Sequence, residues 1–305
     1  MSGRIALVFP GQGSQYVGMA KDLYEGSEAA KVALDELAVA SGFDLLGVMF
    51  EGPEDELKKT QNAQPAILAH SVAVLAAWVG EKGRPEVGAV AGHSLGEYSA
   101  LVATGALDAA EAVRLVRARG ELMARAGETR PGTMAAVMNL GPAALQEALD
   151  TVTSGTVVIA NYNCPGQLVI SGDPDAVAEA GGAVKGAGGR AIPLPVSGAF
   201  HSPLMGPAAK EFADALALAD MADAQAPVYC NVDAAPHKAA EELRVNLGLQ
   251  LTGSVRWEES VRKMIADGIG EFIEVGPKEV LTKLIGRIDA TVTVRAVGTL
   301  EQVKA

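Results

Sequence analysis

Residues 86–105, EVGAVAGHSLGEYSALVATG, restrict the fold more than any other part of the chain. A strand-like run ends at Gly92, Ser94 follows, and Gly96 opens a helical pattern that closes near Gly105. A strand that turns into a helix within four residues brings backbone against backbone, so the turn needs small neighbours. Strand followed directly by helix is also the unit of a parallel sheet, whose crossovers are helical. In Gly92-His93-Ser94-Leu95-Gly96 the serine would stand on a sharp elbow over a helix N-terminus, where developing negative charge is favoured. A purely structural glycine-rich turn is the competing reading of the same letters.

The flanking segments fit this scheme. RIALVF (4–9) is a buried strand ended by the turn PGQGSQ. Helices are expected over 16–24, 66–83 and 108–127, the last with Asp108 and Glu111 as a capping box. The middle of the chain changes style. A strand (133–139), a helix (141–152), the apolar runs TVVIANY and QLVISG around NCPG, a helix (173–188) and a strand (190–197) follow in order. That is the β-α-β-β-α-β order of a ferredoxin-like unit. The expected architecture is therefore an α/β domain from 1–127 and 199–305, with an inserted subdomain at 128–198. In the C-terminal part, a helix (203–218), a strand (226–233), helices near 239–251 and 255–268, a strand (271–276) and a final helix near 278–287 are expected.

Arg119 is the most informative single residue. At 100° per residue, Ala112, Leu115, Val116, Leu122, Met123 and Ala126 share one face of helix 108–126, and Arg119 falls near its middle. Arg114, Arg117, Glu121 and Arg125 lie opposite. A buried cation needs an anion. Unless the side chain snorkels to the surface, that anion is either a core carboxylate or the carboxylate of a substrate gripped by the guanidinium fork. Of the four histidines, His201 in VSGAFHSPLMG lies between a strand and a helix and is the candidate base for Ser94. His70 reads as core, His93 as support for the elbow and His237 as surface. No carboxylate presents itself as the partner of His201. FPGQGSQ (9–15) can aim backbone N–H groups at a shared site. It is not a nucleotide loop, because Tyr16 stands where a further glycine would be required and no Gly-Lys-Ser/Thr follows. GAGGRA (186–191) follows a helix and precedes a strand, the reverse of a dinucleotide fingerprint.

A net charge of −12 argues against nucleic acid and requires any acidic protein partner to dock on a local basic patch. Cys164 and Cys230 have neither metal nor disulfide spacing, which suits a reducing compartment. The N-terminus lacks signal-peptide features, and no uninterrupted apolar stretch reaches membrane-spanning length, so a cytoplasmic protein is expected.

Eight ordered segments carry a resemblance: FPGQGSQ, TQNAQPA, GHSLGEYSAL, RLVRARGELM, MAAV, NYNCPGQLVISG, GAFHSPLM and QLTGSVRWEESV. Through them the chain resembles the malonyl-CoA:acyl carrier protein transacylase family along essentially its whole length. The resemblance implies an α/β-hydrolase-like domain with a ferredoxin-like insert. It implies Ser94 as the acyl-accepting nucleophile, His201 as its base and the Gln250 backbone carbonyl as the group orienting His201. The Gln12 and Leu95 N–H groups would form the oxyanion hole, and Arg119 would bind the malonyl carboxylate. Asn163 and Gln64 sit in motifs near the substrate, and Phe200 resembles the malonyl-type enzymes. Implied partners are malonyl-CoA and holo acyl carrier protein; neither a metal nor a redox cofactor is implied, and a monomer is expected. A serine thioesterase or esterase, or an acyltransferase of a polyketide pathway, would share the elbow.

Overall fold

The computed structural model describes residues 4–196 and 198–305. Residues 1–3 and Ser197, the last residue of the strand expected at 190–197, lie outside them.

Two sheets organise the chain. The strands are β1 (Arg4–Phe9), β2 (Ala89–Gly92), β3 (Thr133–Met138), β4 (Val157–Cys164), β5 (Gln167–Gly172), β6 (Arg190–Pro193), β7 (Val228–Tyr229), β8 (Pro236–His237), β9 (Ile269–Val275) and β10 (Thr293–Val297). The larger sheet has the order β10-β9-β1-β2-β7-β8. It is parallel except for β8, which pairs antiparallel with β7. Its central strands are covered on both faces, and their alternation sorts residues between two layers rather than between core and water. Leu7, Phe9 and Val90 pack with the helices Thr60–Lys82 and Ala109–Thr129. Ala6, Val8, Ala89 and Ala91 pack with Trp257–Ala266 and Val280–Ile288.

The second sheet, β4-β5-β3-β6, is antiparallel and has its own apolar core. Leu145 and Leu149 of Pro142–Leu149, with Val177 and Val184 of Pro174–Gly186, cover Ala135, Val137, Ile159, Leu168 and Ile170. The chain is thus a mixed α/β fold with one mostly parallel and one antiparallel sheet. The small sheet reaches back to the large unit through β4. Tyr162 N–H donates to Val255 C=O at 2.9 Å, and Val255 N–H to Ala160 C=O at 2.8 Å.

Several elements differ from expectation for local reasons. The helix expected at 16–24 is Lys21–Gly26, because Gly18 and Ala20 take positive φ and cannot continue a right-handed helix. The helix expected from 66 starts at Thr60 and contains Pro65. Proline leaves the Gln61 carbonyl without its intrahelical donor, and Arg117 Nη1 supplies one at 2.9 Å. This helix is by length and composition able to cross a membrane, against the expectation that no stretch is. Here most of it lies in the core between the large sheet and its neighbouring helices. Asp108 caps Ala110 and Glu111 N–H groups, yet Glu111 turns to Arg114 instead of completing a capping box. The strand expected at 226–233 is paired only at Val228–Tyr229, and β10 and the helix Leu300–Lys304 follow the helix expected to be the last.

Candidate active site

The site forms at the carboxyl ends of β1 and β2. Gly92 and Gly96 are fixed by close approach. A Cβ on Gly92 would lie 1.9 Å from the Gly96 carbonyl carbon, and one on Gly96 would lie 2.0 Å from the Phe9 oxygen. Between them Ser94 has φ 52°, a left-handed conformation costly for a residue with a Cβ. Asn231 holds it there. Its Oδ1 accepts from Ser94 N–H and its Nδ2 donates to Gly92 C=O, both at 2.6 Å. One side chain thus staples both ends of the elbow.

Ser94 Oγ lies 2.8 Å from His201 Nε2. His201 also has positive φ, 56°, and is followed by a turn in which Ser202 Oγ accepts from Leu204 N–H. Its Nδ1 faces the carbonyl of Gln250 at 2.9 Å and that of Gly253 at 3.2 Å. Carbonyls only accept, so Nδ1 carries the proton and Nε2 presents its lone pair to Ser94. Burial, and then the nearby Arg119 charge, push the His201 pKa down to about 3, so the free imidazole is neutral.

Arg119 is 1% exposed, among the largest fully buried side chains. Its Nη1 donates to Gln64 Oε1 at 2.7 Å; its Nη2 donates to Gln250 Oε1 at 3.0 Å and Ser94 Oγ at 3.1 Å. Its face lies over the Tyr98 ring. No carboxylate forms an ion pair with it among the described residues. Neutral amides hold the cation in position without occupying it as a carboxylate would.

The remaining expected residues are placed around this centre. Leu95 N–H precedes the helix Gly96–Ala103 and Gln12 N–H lies in the turn after β1. Among the described residues neither amide donates to a protein acceptor. The Gln12 side chain is turned to Thr60 Oγ1. Asn163, near the end of β4, has its Oδ1 engaged by His93 Nε2 at 2.9 Å, so His93 ties the elbow to the small sheet. Phe200 is buried in the main core beside His201. His70 is fully buried with Nε2 on the Gly298 carbonyl. His237 lies between Asp233 and Glu242 and is less exposed than a plain surface residue. Among the described residues no three His, Cys, Asp or Glu side chains gather as a metal site requires.

Asn231 and Glu97 are residues of this network that sequence reasoning misses. Glu97 is 1% exposed and accepts from Asn231 N–H at 2.9 Å and Gln250 Nε2 at 3.1 Å. A lone acidic residue in the apolar helical stretch after the elbow was a signal of the same kind as Arg119.

Residues 6–300 match the acyl transferase domain family. The chain is 45% identical over 304 residues to the malonyl CoA-acyl carrier protein transacylase of Bacillus subtilis (strain 168), covering 99% of this chain and 95% of that protein. The transacylase of Escherichia coli (strain K12) is 43% identical over 295 residues, covering 96% and 95%. Among solved structures, the malonyl CoA-acyl carrier protein transacylase of Coxiella burnetii superposes with a TM-score of 0.96 at 37% identity, covering 99% and 96%. A type II PKS acyl-carrier protein in complex with its malonyl-transacylase contains a chain that superposes at TM-score 0.94 and 42% identity, covering 98% and 97%.

Proposed function

The chain belongs to the acyl transferase family, among the malonyl CoA-acyl carrier protein transacylases, and on that premise we infer that it transfers malonyl from malonyl-CoA to the phosphopantetheine thiol of acyl carrier protein, supplying fatty acid synthesis. Ser94 is the nucleophile. His201 Nε2 takes its proton as Oγ attacks the thioester carbonyl, and the tetrahedral oxyanion rests on the Gln12 and Leu95 N–H groups. CoA thiol leaves with the proton returned by His201, giving malonyl-Ser94. The carrier thiol then attacks, and the same groups act in the same order. Gln250, through its backbone carbonyl, fixes the tautomer of His201 where a triad would use a carboxylate. The steps call on no metal or redox cofactor.

Arg119 carries the choice of acyl group. A buried guanidinium held by amides is a ready partner for a carboxylate, and Gln64 keeps its fork oriented. The arrangement also couples recognition to reactivity. Arg119 helps depress the His201 pKa, so a malonyl carboxylate that neutralises Arg119 makes the base stronger when the correct acyl group is bound. Asn163, tied to the elbow through His93, and Phe200, next to His201 in the chain, are read as neighbours of the acyl group. We read the large sheet with its elbow as an α/β-hydrolase-like domain, 1–127 and 199–305. The strand order β4-β5-β3-β6 supports reading 128–198 as a ferredoxin-like insert.

The observation that carries this function is the 2.8 Å Ser94–His201 contact with an amide-held Arg119 beside it. On mixing with malonyl-CoA, the intact protein should gain one malonyl mass, which holo but not apo carrier protein removes. Release of free malonate at the same rate without carrier would instead mark a thioesterase.

A further inference from the structure

Glu97 makes its two hydrogen bonds, from Asn231 N–H and Gln250 Nε2, through one carboxylate oxygen. Its other oxygen is buried and has no hydrogen-bond partner among the described residues. A glutamine would make the same two bonds through its carbonyl, so what a carboxylate adds here is charge. The Gln250 amide that donates to Glu97 accepts, at its other end, from Arg119 Nη2 at 3.0 Å. The buried anion and the buried cation are therefore joined through one neutral amide. Direct contact would fill the guanidinium and compete with a substrate carboxylate. No anion at all would leave a bare cation in the core and hold an anionic acyl group too tightly for onward transfer.

We propose that Glu97 is a positioning residue that sets the strength of the acyl site: acting through Gln250, it balances Arg119 at one amide's remove, leaving the guanidinium open to a carboxylate while weakening its hold. The inference rests on the reading of Arg119 as the carboxylate site. A substrate carboxylate beyond Arg119 would lie on the order of 10 Å from Glu97, where removing a like charge at an effective permittivity near 20 strengthens binding ~10-fold.

The test is the ratio of kcat/KM for malonyl-CoA to that for acetyl-CoA, measured at about pH 8. Burial raises the Glu97 pKa to about 7, so the carboxylate is ionised there. Glu97→Gln should raise this ratio ~10-fold, chiefly through a lower KM for malonyl-CoA, whatever happens to the absolute rates. A merely structural role would lower both substrates in proportion, and an unmoved ratio overturns the proposal. If Glu97→Gln does not fold, Glu97→Ala removes the same charge and is read by the same ratio. Arg119→Ala serves as the control. If it collapses the ratio while the Glu97 variants leave it unmoved, the proposal fails and the acyl-site reading stands. If Arg119→Ala also leaves it unmoved, the acyl-site reading itself has failed.

Discussion

Replacing Asn231 by alanine should cripple the elbow more than its distance in sequence from Ser94 suggests. The substitution strands two buried backbone groups, Ser94 N–H and Gly92 C=O, each held at 2.6 Å in the native protein. An unpaired buried polar group costs about 1–3 kcal/mol, so the pair predicts a loss of about 2–6 kcal/mol in urea unfolding. The kinetic effect follows from strain. Ser94 at φ 52° is held against a preference for other regions, and without the staple it relaxes. A shift of about 1 Å between Oγ and Nε2 or the oxyanion donors costs ~100-fold in rate. Rapid-quench measurement of malonyl-enzyme formation from labelled malonyl-CoA gives the acylation rate directly. A folded Asn231→Ala protein that acylates at the native rate would refute the view that this side chain sets the nucleophile's geometry.

Ser94→Ala should form no labelled malonyl-enzyme while remaining folded, and label retained by that variant would move the nucleophile elsewhere. Gly96→Ala should destabilise severely, by at least ~3 kcal/mol in urea unfolding, because its methyl would meet the Phe9 carbonyl oxygen at 2.0 Å and overpacking against backbone cannot relax cheaply. Acid should weaken the fold through His70, whose pKa burial depresses to about 4 from 6.5. Its folded form stays neutral while the unfolded form gains a proton, so stability present above pH 6.5 is lost as pH falls toward 4, about 3 kcal/mol in all. Glu97, raised to about 7, acts in the opposite sense over part of that range. The wild type should therefore be compared with His70→Gln, whose unfolding free energy should fall less over the same interval.

The parts of the fold that could be read from the sequence are those specified by neighbours in the chain. β1, β2 and β9 are short runs bounded by turn residues, and Arg119 betrays itself by its place on an apolar helical face. Boundaries fail where a distant residue compensates a local defect. The helix Thr60–Lys82 runs through Pro65 because Arg117 serves the carbonyl that proline abandons. β10 escapes notice because the strand is short and Arg295 sits inside it, paired with Glu271 on the adjacent strand. Ser94 and His201 carry local motifs, whereas Asn231 acts across 137 residues on a turn whose letters give no hint of it. A staple of this kind has no spacing rule and becomes visible only when β7 is seen beside β2.

The pairing of Tyr162 and Val255 has a bearing on the order in which this protein assembles. The segment that β4 captures also carries Gly253, whose carbonyl steadies His201. Contacts so remote in sequence close late, after the local hairpins and helices have formed. The main sheet closes over still longer separations, β1 on β9 and β2 on β7, so neither sheet nor site is complete while only the local helices and hairpins have formed. Secondary structure can therefore be largely present in a chain whose base is not yet held, and turnover rather than helix content reports that these distant segments have met.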